Sequence, residues 1–364
     1  MEKLIGLVTA NYSTKYPSAL SETRPVASVP YLGRYRVVDF ALSNMANAGI
    51  RTVGLIMPYN YRSLIDHVGS GRDWNLSRKK GGLFILPGSA FGTSRTGSRF
   101  LLRDLEHNKV YLKRSTADLV ILSSASFVYN MDYNQLAAVH SQSGADITVV
   151  TKSATEKDVD VTGFVVDDGR VHGIRHGVSF GDEAFLDCFV VRREFLLNLL
   201  DWYEQNDYLD LFEALSGDYG RVDVRTYRFD GYAEPIFNKD AYFRSNMQML
   251  DPKVTAELFP AERPIMTKAH DNAPAKFESG SHVSNSAVSG SCRIYGTVTN
   301  SILGRSVVVE SGATVNNSIV MQSCVIKSGA RVENAIVDRN NVVPAGTELR
   351  GTPDDLFIKE KAAD

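Results

Sequence analysis

The sequence has few cysteines, almost no net charge and no long apolar run, and each shortage excludes a class of protein. Its 364 residues contain three cysteines, Cys188, Cys292 and Cys324, which lie too far apart for a disulfide framework or a zinc site and indicate a reducing compartment. The net charge of −2 offers no general attraction to nucleic acid or to an anionic membrane. No apolar run approaches the roughly 20 residues that would cross a bilayer. We therefore expect a cytoplasmic protein that has neither nucleic acid nor a membrane as a partner.

Glycine is also missing from the segment that follows the first predicted strand. The apolar run over residues 4–8 predicts a first buried strand, and such strands commonly open onto a glycine-rich turn that approaches phosphate groups. Here no glycine occurs between Gly6 and Gly33. The sequence therefore starts like a nucleotide-binding scaffold but lacks the phosphate-binding loop.

Strand and helix patterns alternate over residues 1–250. Strand patterns over 51–58 and 118–124 are separated by helical ones, which predicts a parallel sheet with helices on both faces. The stretch 163–174 differs, because two short β-type runs flank an Asp-Gly pair, and it predicts a hairpin. We expect residues 1–250 to form a mixed α/β, Rossmann-like domain whose last helix covers 239–250.

The remaining residues follow other patterns. Residues 251–277 carry four prolines and no clear period, so we predict a linker. Over residues 278–364, β-branched residues recur every six positions, as at Ile302, Val308 and Thr314, with Ser, Gly and Asn between them. This is the hexapeptide repeat of a left-handed β-helix, with about three hexads in each triangular coil.

The combination of these two domains resembles the sugar nucleotidyltransferases. The stretch "LGRYRVVDFALSNMANAGIRTVGLIMPYNYRSLIDHVGSGRDWNL" (32–76) narrows the resemblance to glucose-1-phosphate adenylyltransferase, the ADP-glucose pyrophosphorylase of glycogen synthesis. The stretches "FDGYAEPIFNKDAYFRSNMQML" (229–250) and "AIVDRNNVVPAGTELRG" (335–351) extend it over nearly the whole chain. The resemblance implies an α/β nucleotidyltransferase domain followed by a C-terminal left-handed parallel β-helix.

The residues that carry the chemistry in the resembling enzymes are missing from this sequence. Those enzymes use a loop with glycines and an arginine to hold the phosphates, and two aspartates to hold Mg²⁺. Counting along the matching stretches puts Lys15 in a loop without glycine or arginine, Ser126 at the first aspartate and Pro235 at the second. Lys15 could replace the missing cation, although a solvated loop residue is the favoured interpretation. We expect no catalytic residue, no metal site and no cofactor, so that Mg²⁺ does not bind tightly.

Four arginines are candidates for an effector site. Arg34 and Arg36 lie two apart on a predicted strand and therefore share a face, Arg24 is close in sequence, and Arg339 comes from the β-helix. Two guanidinium groups on one face suit a phosphate. In the resembling enzymes, basic residues of this segment bind phosphorylated effectors between the two domains. A solvated or ion-paired face is the competing interpretation, which the residue pattern slightly favours.

The favoured hypothesis is a regulatory subunit without catalysis of its own. The sequence keeps the scaffold of the family but lacks several of its catalytic and metal-binding residues. In this it resembles the noncatalytic D-type glycogen-biosynthesis subunits of Gram-positive bacteria. That resemblance implies assembly with a catalytic subunit of glucose-1-phosphate adenylyltransferase, as a heterotetramer, with a phosphorylated sugar as possible effector. One alternative is an active adenylyltransferase in which Glu234 and Asp132 hold Mg²⁺. Another is a β-helix acyltransferase with His282 as general base.

Overall fold

The computed structural model describes residues 2–11, 19–89, 99–155 and 161–361. The strands of its first part are β1 (Leu4–Thr9), β2 (Pro30–Tyr31), β3 (Tyr35–Arg36), β4 (Thr52–Met57), β5 (Gly82–Pro87), β6 (Leu119–Ser124), β7 (Phe127–Tyr129), β8 (Ile147–Ser153), β9 (Thr162–Asp167), β10 (Arg170–His176), β11 (Glu183–Arg192), β12 (Val224–Arg228) and β13 (Ala233–Pro235). The helices are α1 (Val38–Asn47), α2 (Arg62–Val68), α3 (Leu102–His107), α4 (Lys109–Lys113), α5 (Tyr133–Ser143), α6 (Arg193–Trp202), α7 (Leu211–Ala214), α8 (Lys239–Gln248) and α9 (Pro252–Leu258).

Nine of these described strands form one mixed sheet in the order β5-β4-β1-β6-β11-β8-β12-β10-β9. Strand β1 pairs in parallel with β4 and β6, whereas β11 runs antiparallel to β6 and β8. Alternate residues of β6 enter two separate cores, with Ile121 in one and Leu122 in the other. Because both faces are buried, residues 119–122 of β6 are all apolar instead of alternating, and the strand ends in the buried Ser123 and Ser124. The predicted mixed α/β fold is confirmed.

The predicted hairpin is present, and it turns at the expected Asp-Gly pair. Strands β9 and β10 pair antiparallel around Asp168 and Gly169, whose φ angles are +44° and +72°. Positive φ at both turn residues matches the twist of a hairpin, which is why Asp-Gly is favoured there.

The stretch 251–277, which we predict to be a linker, contains a helix near its start. Helix α9 follows α8 directly, because the side chain of Asp251 accepts a hydrogen bond from the Lys253 amide at 2.8 Å and Pro252 occupies the first turn. An aspartate cap and a proline at this position are both ordinary helix-start signals.

The second domain is a parallel β-helix with three faces, as predicted. Its described strands are β14 (Lys276–Phe277), β15 (His282–Ser284), β16 (Ala287–Val288), β17 (Arg293–Ile294), β18 (Thr297–Thr299), β19 (Ile302–Leu303), β20 (Val308–Val309), β21 (Thr314–Asn316), β22 (Ile319–Val320), β23 (Val325–Ile326), β24 (Arg331–Glu333), β25 (Ala335–Val337), β26 (Val342–Val343), β27 (Glu348–Arg350) and β28 (Phe357–Lys359). They form three five-stranded sheets, each built from every third strand.

The coil of the β-helix is shorter than three hexads. Stacked residues such as Asn317 and Asn334 lie 17 positions apart, and their side chains hydrogen bond at 2.6 Å. The chain turns at corner residues with positive φ, and successive corners lie six, six and five residues apart, at Asn300, Ser306, Gly312 and Asn317. A strict six-residue register therefore slips by one position in every coil. The six-residue register still falls on apolar residues because most of these strands contain two adjacent apolar residues.

An apolar junction joins the two domains. Ile302, Ile319 and Ile336 stack on one face of the β-helix and belong to the same buried cluster as Tyr31 and Tyr242 of the α/β domain. The turn between β2 and β3 comes so close to the β-helix that a side chain at Gly33, whose φ is +64°, would lie 2.7 Å from a backbone oxygen. The junction is therefore closely packed from both sides.

Residues 258–269, which we call the connecting segment, run along the surface of the α/β domain. Side chains of that domain bind its backbone: Asn130 donates to the carbonyls of Leu258 and Arg263, Asn47 donates to that of Pro264, and Ser43 bonds to Met266. These hydrogen bonds tie the path of the chain between the domains to helix α1 and to the residue that follows strand β7.

Candidate functional site

In an open α/β sheet, the reaction site is expected at the carboxyl ends of parallel strands, which here are those of β1 and β6. Ser126 follows β6 and is fully buried. Its hydroxyl lies 2.5 Å from the Ser124 hydroxyl and donates to a carboxylate oxygen of Asp187 at 3.2 Å. A serine here brings a hydrogen-bond donor but no negative charge.

Pro235, the second position of interest, lies in the short strand β13. It is buried and pairs with Phe127 of β7, and the next amide, that of Ile236, donates to the Ser126 carbonyl at 2.7 Å. The positions predicted from sequence, 126 and 235, are therefore brought together in the fold. Neither side chain carries a negative charge that could balance a metal ion.

An ion pair that the sequence did not predict lies beside them. The Nε of Arg99 donates to Asp187 at 3.0 Å, and both side chains are buried, at 11% and 6% exposure. Burial raises the pKa of Asp187, and the Arg99 guanidinium opposes that rise. Asp187 lies in a bulge of β11 with a φ of +50°, an unusual angle for a residue other than glycine. An acidic residue inside the apolar stretch FLDCFVV was the one available signal for this site.

The other carboxylates proposed as ligands are already bound. Asp132 caps helix α5 by accepting from the Asn134 and Gln135 amides, and Glu234 accepts from Arg244 at 3.1 Å. Across the described ranges, no group of three His, Cys, Asp or Glu side chains is arranged to hold a metal ion. The residues present therefore do not fit Mg²⁺, which prefers carboxylate and phosphate oxygens. Lys15 lies outside the described residues.

A basic cleft, the other candidate site, lies between the two domains. We define it by Arg34, Lys268, His270 and Arg305, which line a cavity of about 470 Å³. Arg34 is exposed in the β2–β3 turn, and Arg305 comes from the β-helix, where it also donates to Gln322 at 3.1 Å. Burial and the nearby Arg34 lower the pKa of Arg305, while burial and then Arg305 lower that of His270. The concentration of cations favours an anionic ligand.

The four arginines predicted as an effector site differ in their contacts, although Arg339 and Arg24 lie close enough to Arg36 to add to the lowering of its pKa by burial. Only Arg36 lies in β3, because Leu32 and Gly33 adopt positive φ and place Arg34 in the turn, so the expected shared strand face is wrong. The Arg36 guanidinium donates to the Ser63 carbonyl at 2.6 Å, and burial lowers its pKa to about 10.

The two remaining arginines lie deeper in the junction. Arg24 is 2% exposed and forms a two-point ion pair with Asp338 of the β-helix, at 2.7 and 3.1 Å. It therefore connects the domains instead of lining the cleft. The Nε of Arg339 is buried and has no hydrogen-bond partner among the described residues.

His282 is exposed in the first coil of the β-helix, in strand β15, and the described structure shows no hydrogen bond to its ring. None of the helices in the described ranges is long and apolar enough to cross a membrane.

Comparison with known proteins matches both domains. Residues 18–175 match the nucleotidyl transferase family, and residues 273–354 match the GlmU-like C-terminal hexapeptide family. The chain is 30% identical to the glycogen biosynthesis protein GlgD of Bacillus subtilis and 33% identical to that of Geobacillus stearothermophilus, in each case over 85% of this chain and 82% of the relative. It is also 33% identical to a glucose-1-phosphate adenylyltransferase of Thermomicrobium roseum, over 80% of this chain and 70% of the relative.

Proposed function

Since the chain belongs to the glucose-1-phosphate adenylyltransferase family of glycogen biosynthesis, we propose that it is a regulatory, noncatalytic subunit of that enzyme. It would act in the cytoplasm on a catalytic partner that makes ADP-glucose from ATP and glucose 1-phosphate. The proposed assembly is a heterotetramer of the two kinds of subunit.

The observation that carries this proposal is the state of the reaction site. Transfer of a nucleotidyl group needs a cation to stabilise the pyrophosphate leaving group and carboxylates to hold the metal. The resemblance puts Ser126 and Pro235 at the two carboxylate positions, and the nearby Asp187 accepts from Ser126 and is bound to Arg99. The site is built from side chains that bind one another, which supports a protein that does not carry out the reaction.

A subunit without chemistry changes its partner's rate by favouring one of the partner's conformations. Effector control then requires that the effector prefers one state of the assembly. The basic cleft offers a place for such an effector, because its cations come from both domains and from the connecting segment. A phosphorylated sugar fits this chemistry, since guanidinium groups bind phosphate at two points.

The alternatives have less support from the structure. An active enzyme that used Asp132 and Glu234 would have to release a helix cap and an ion pair first. An acyltransferase centred on His282 would need a pocket around that histidine, and its ring is exposed on the outside of the coil.

Two assays of the full chain test the proposal. The purified chain alone is expected to show no ADP-glucose formation and a dissociation constant for Mg·ATP no tighter than about 1 μM. Turnover alone in the usual enzyme range of about 1–1,000 per second would refute the noncatalytic assignment.

The second assay uses the partner. Co-expression with the catalytic subunit, followed by mass measurement, is expected to yield a mixed oligomer whose effector response differs from that of the catalytic subunit alone. The control is the catalytic subunit expressed and purified by itself. Failure of the two chains to associate at micromolar concentration would contradict the regulatory role.

A further inference from the structure

The backbone at Arg99 is fixed by hydrogen bonds that do not involve the ionic partner of its side chain. Its backbone amide and that of Phe100 donate to one oxygen of Asp210, at 3.0 and 2.8 Å. Asp210 is itself buried and caps helix α7, so its position does not depend on Arg99. The side chain therefore projects into the protein from a fixed point of the backbone.

The Arg99 side chain contacts residues on both sides of the pocket that holds positions 126 and 235. On one side its Nε bonds to Asp187, which also accepts from the hydroxyls of Ser124 and Ser126 at 3.1 and 3.2 Å. On the other side its guanidinium lies 4.4 Å from the ring centroid of Phe237, two residues after Pro235. Cations over an aromatic ring are attracted by the ring's electron density.

We infer that the Arg99 guanidinium is a built-in cation that replaces the divalent metal ion in this pocket. The carboxylate it neutralises, Asp187, comes from a strand position that the resemblance does not connect with metal binding. The inference does not rest on the regulatory role, because it concerns this chain alone.

The charges in this pocket explain why the Arg99 guanidinium and a metal ion would not occupy it together. A buried carboxylate without a partner is costly, and it is stabilised either by protonation or by a nearby cation, which Arg99 supplies here. Arginine stays charged at any physiological pH and is more weakly hydrated than an ammonium group, which suits it to a buried pair. A metal ion that entered the same space would lie beside a buried guanidinium and would be repelled. The pocket should therefore be electrically balanced without Mg²⁺ and should not respond to it.

The first test measures thermal unfolding of the full chain in excess EDTA and in millimolar MgCl₂ or MnCl₂. The unfolding temperature is expected to be the same in all three. A saturable rise with Mn²⁺ that disappears in Asp187→Asn would show that a metal ion uses this carboxylate, and would overturn the inference.

The second test removes the cation. Arg99→Met keeps an apolar chain of similar length but leaves Asp187 unpaired, and we expect the unfolding temperature to fall by about 6 °C or more. The double variant Arg99→Met with Asp187→Asn removes both charges and should recover most of the loss. It also serves as the informative variant if the single one does not fold.

The matched control is Arg103→Met, four residues further on. Arg103 makes a shorter ion pair than Arg99 does, with Asp207 at 2.7 Å, but both side chains are 36% exposed. Exposed pairs contribute little, so the unfolding temperature of this variant should stay close to that of the wild type. If Arg99→Met were no less stable than Arg103→Met, or if the double variant recovered nothing, Arg99 would be a packing residue and not a replacement cation.

Discussion

The buried ion pair between Arg24 and Asp338 allows the strength of the domain junction to be measured. The two side chains are 3% and 4% exposed, and the guanidinium also donates from Nε to the Leu20 carbonyl at 2.9 Å. Asp338→Asn leaves the shape unchanged but strands a buried guanidinium against a neutral amide. Breaking a buried pair by removing one partner costs about 3–5 kcal/mol.

Calorimetry of the full chain is the appropriate assay, because the lost pair joins two domains. At about 2–4 °C per kcal/mol for a domain of this size, Asp338→Asn should lower the unfolding temperature by about 6–20 °C. The double variant Arg24→Met with Asp338→Leu should recover most of this loss, since it leaves no buried charge unpaired.

A second ion pair across the same junction provides the control. Lys239 of α8 bonds to Asp355 at 2.9 Å, but the Asp355 side chain is 84% exposed. Asp355→Asn should therefore leave the unfolding temperature unchanged within replicate error. Equal shifts for Asp338→Asn and Asp355→Asn would refute the reasoning that burial, and not the mere crossing of the junction, makes the first pair important.

Three further predictions concern other parts of the molecule. In the mixed oligomer, the double variant Arg34→Ala with Arg305→Ala should weaken the apparent affinity for a phosphorylated sugar about five- to 150-fold. The control variant Arg331→Ala, at an exposed position, should not change this affinity. Equal titration curves for the two variants would show that the cleft binds no effector. Burial lowers the pKa of His140 from 6.5 to about 4. Between pH 6.5 and pH 4 the unfolded chain therefore binds a proton at this histidine that the native chain does not bind. The free energy of unfolding should fall by up to about 3 kcal/mol as the pH drops over this range. His140→Asn should flatten this part of the curve of unfolding temperature against pH, and an unchanged slope would contradict the assignment. Asn317→Ala should lower the free energy of unfolding by about 1–2 kcal/mol in a denaturant titration, because φ is +41° there, and Asn317→Gly should lower it less; the reverse order would contradict the argument from backbone strain.

The fold could be predicted from sequence because its signals are local. Alternating strand and helix patterns identified the sheet, and Asp168 with Gly169 identified the hairpin. The β-helix was identified by its apolar spacing, yet the coil length was not. The period of 17 was present in corner residues such as Asn300, Asn317 and Asn334, whose shared property is a tolerance of positive φ and not hydrophobicity.

The candidate site could be predicted only in part, because its chemistry depends on distant contacts. Ser126 and Pro235 were located by counting along matching stretches, and the fold brings them together. Arg99 and Asp187 are 88 residues apart, and Arg24 and Asp338 are 314 apart. No sequence period relates the members of such pairs. Only the fold shows that Arg99 and Arg24 form internal ion pairs and that Arg305 and Arg34 line the same cleft.

The way the connecting segment is attached has a consequence for how this protein can evolve. Asn47 and Asn130 bind backbone carbonyls, and Ser43 bonds to the backbone of Met266, so several of these attachments do not depend on the side chains of the segment. At those points substitutions within the segment keep the same hydrogen bonds, as long as the new residue accepts the local backbone path. The route between the domains is therefore encoded largely at positions 43, 47 and 130, far away in the sequence. Related chains should diverge freely in the segment while they keep small polar residues at those three positions.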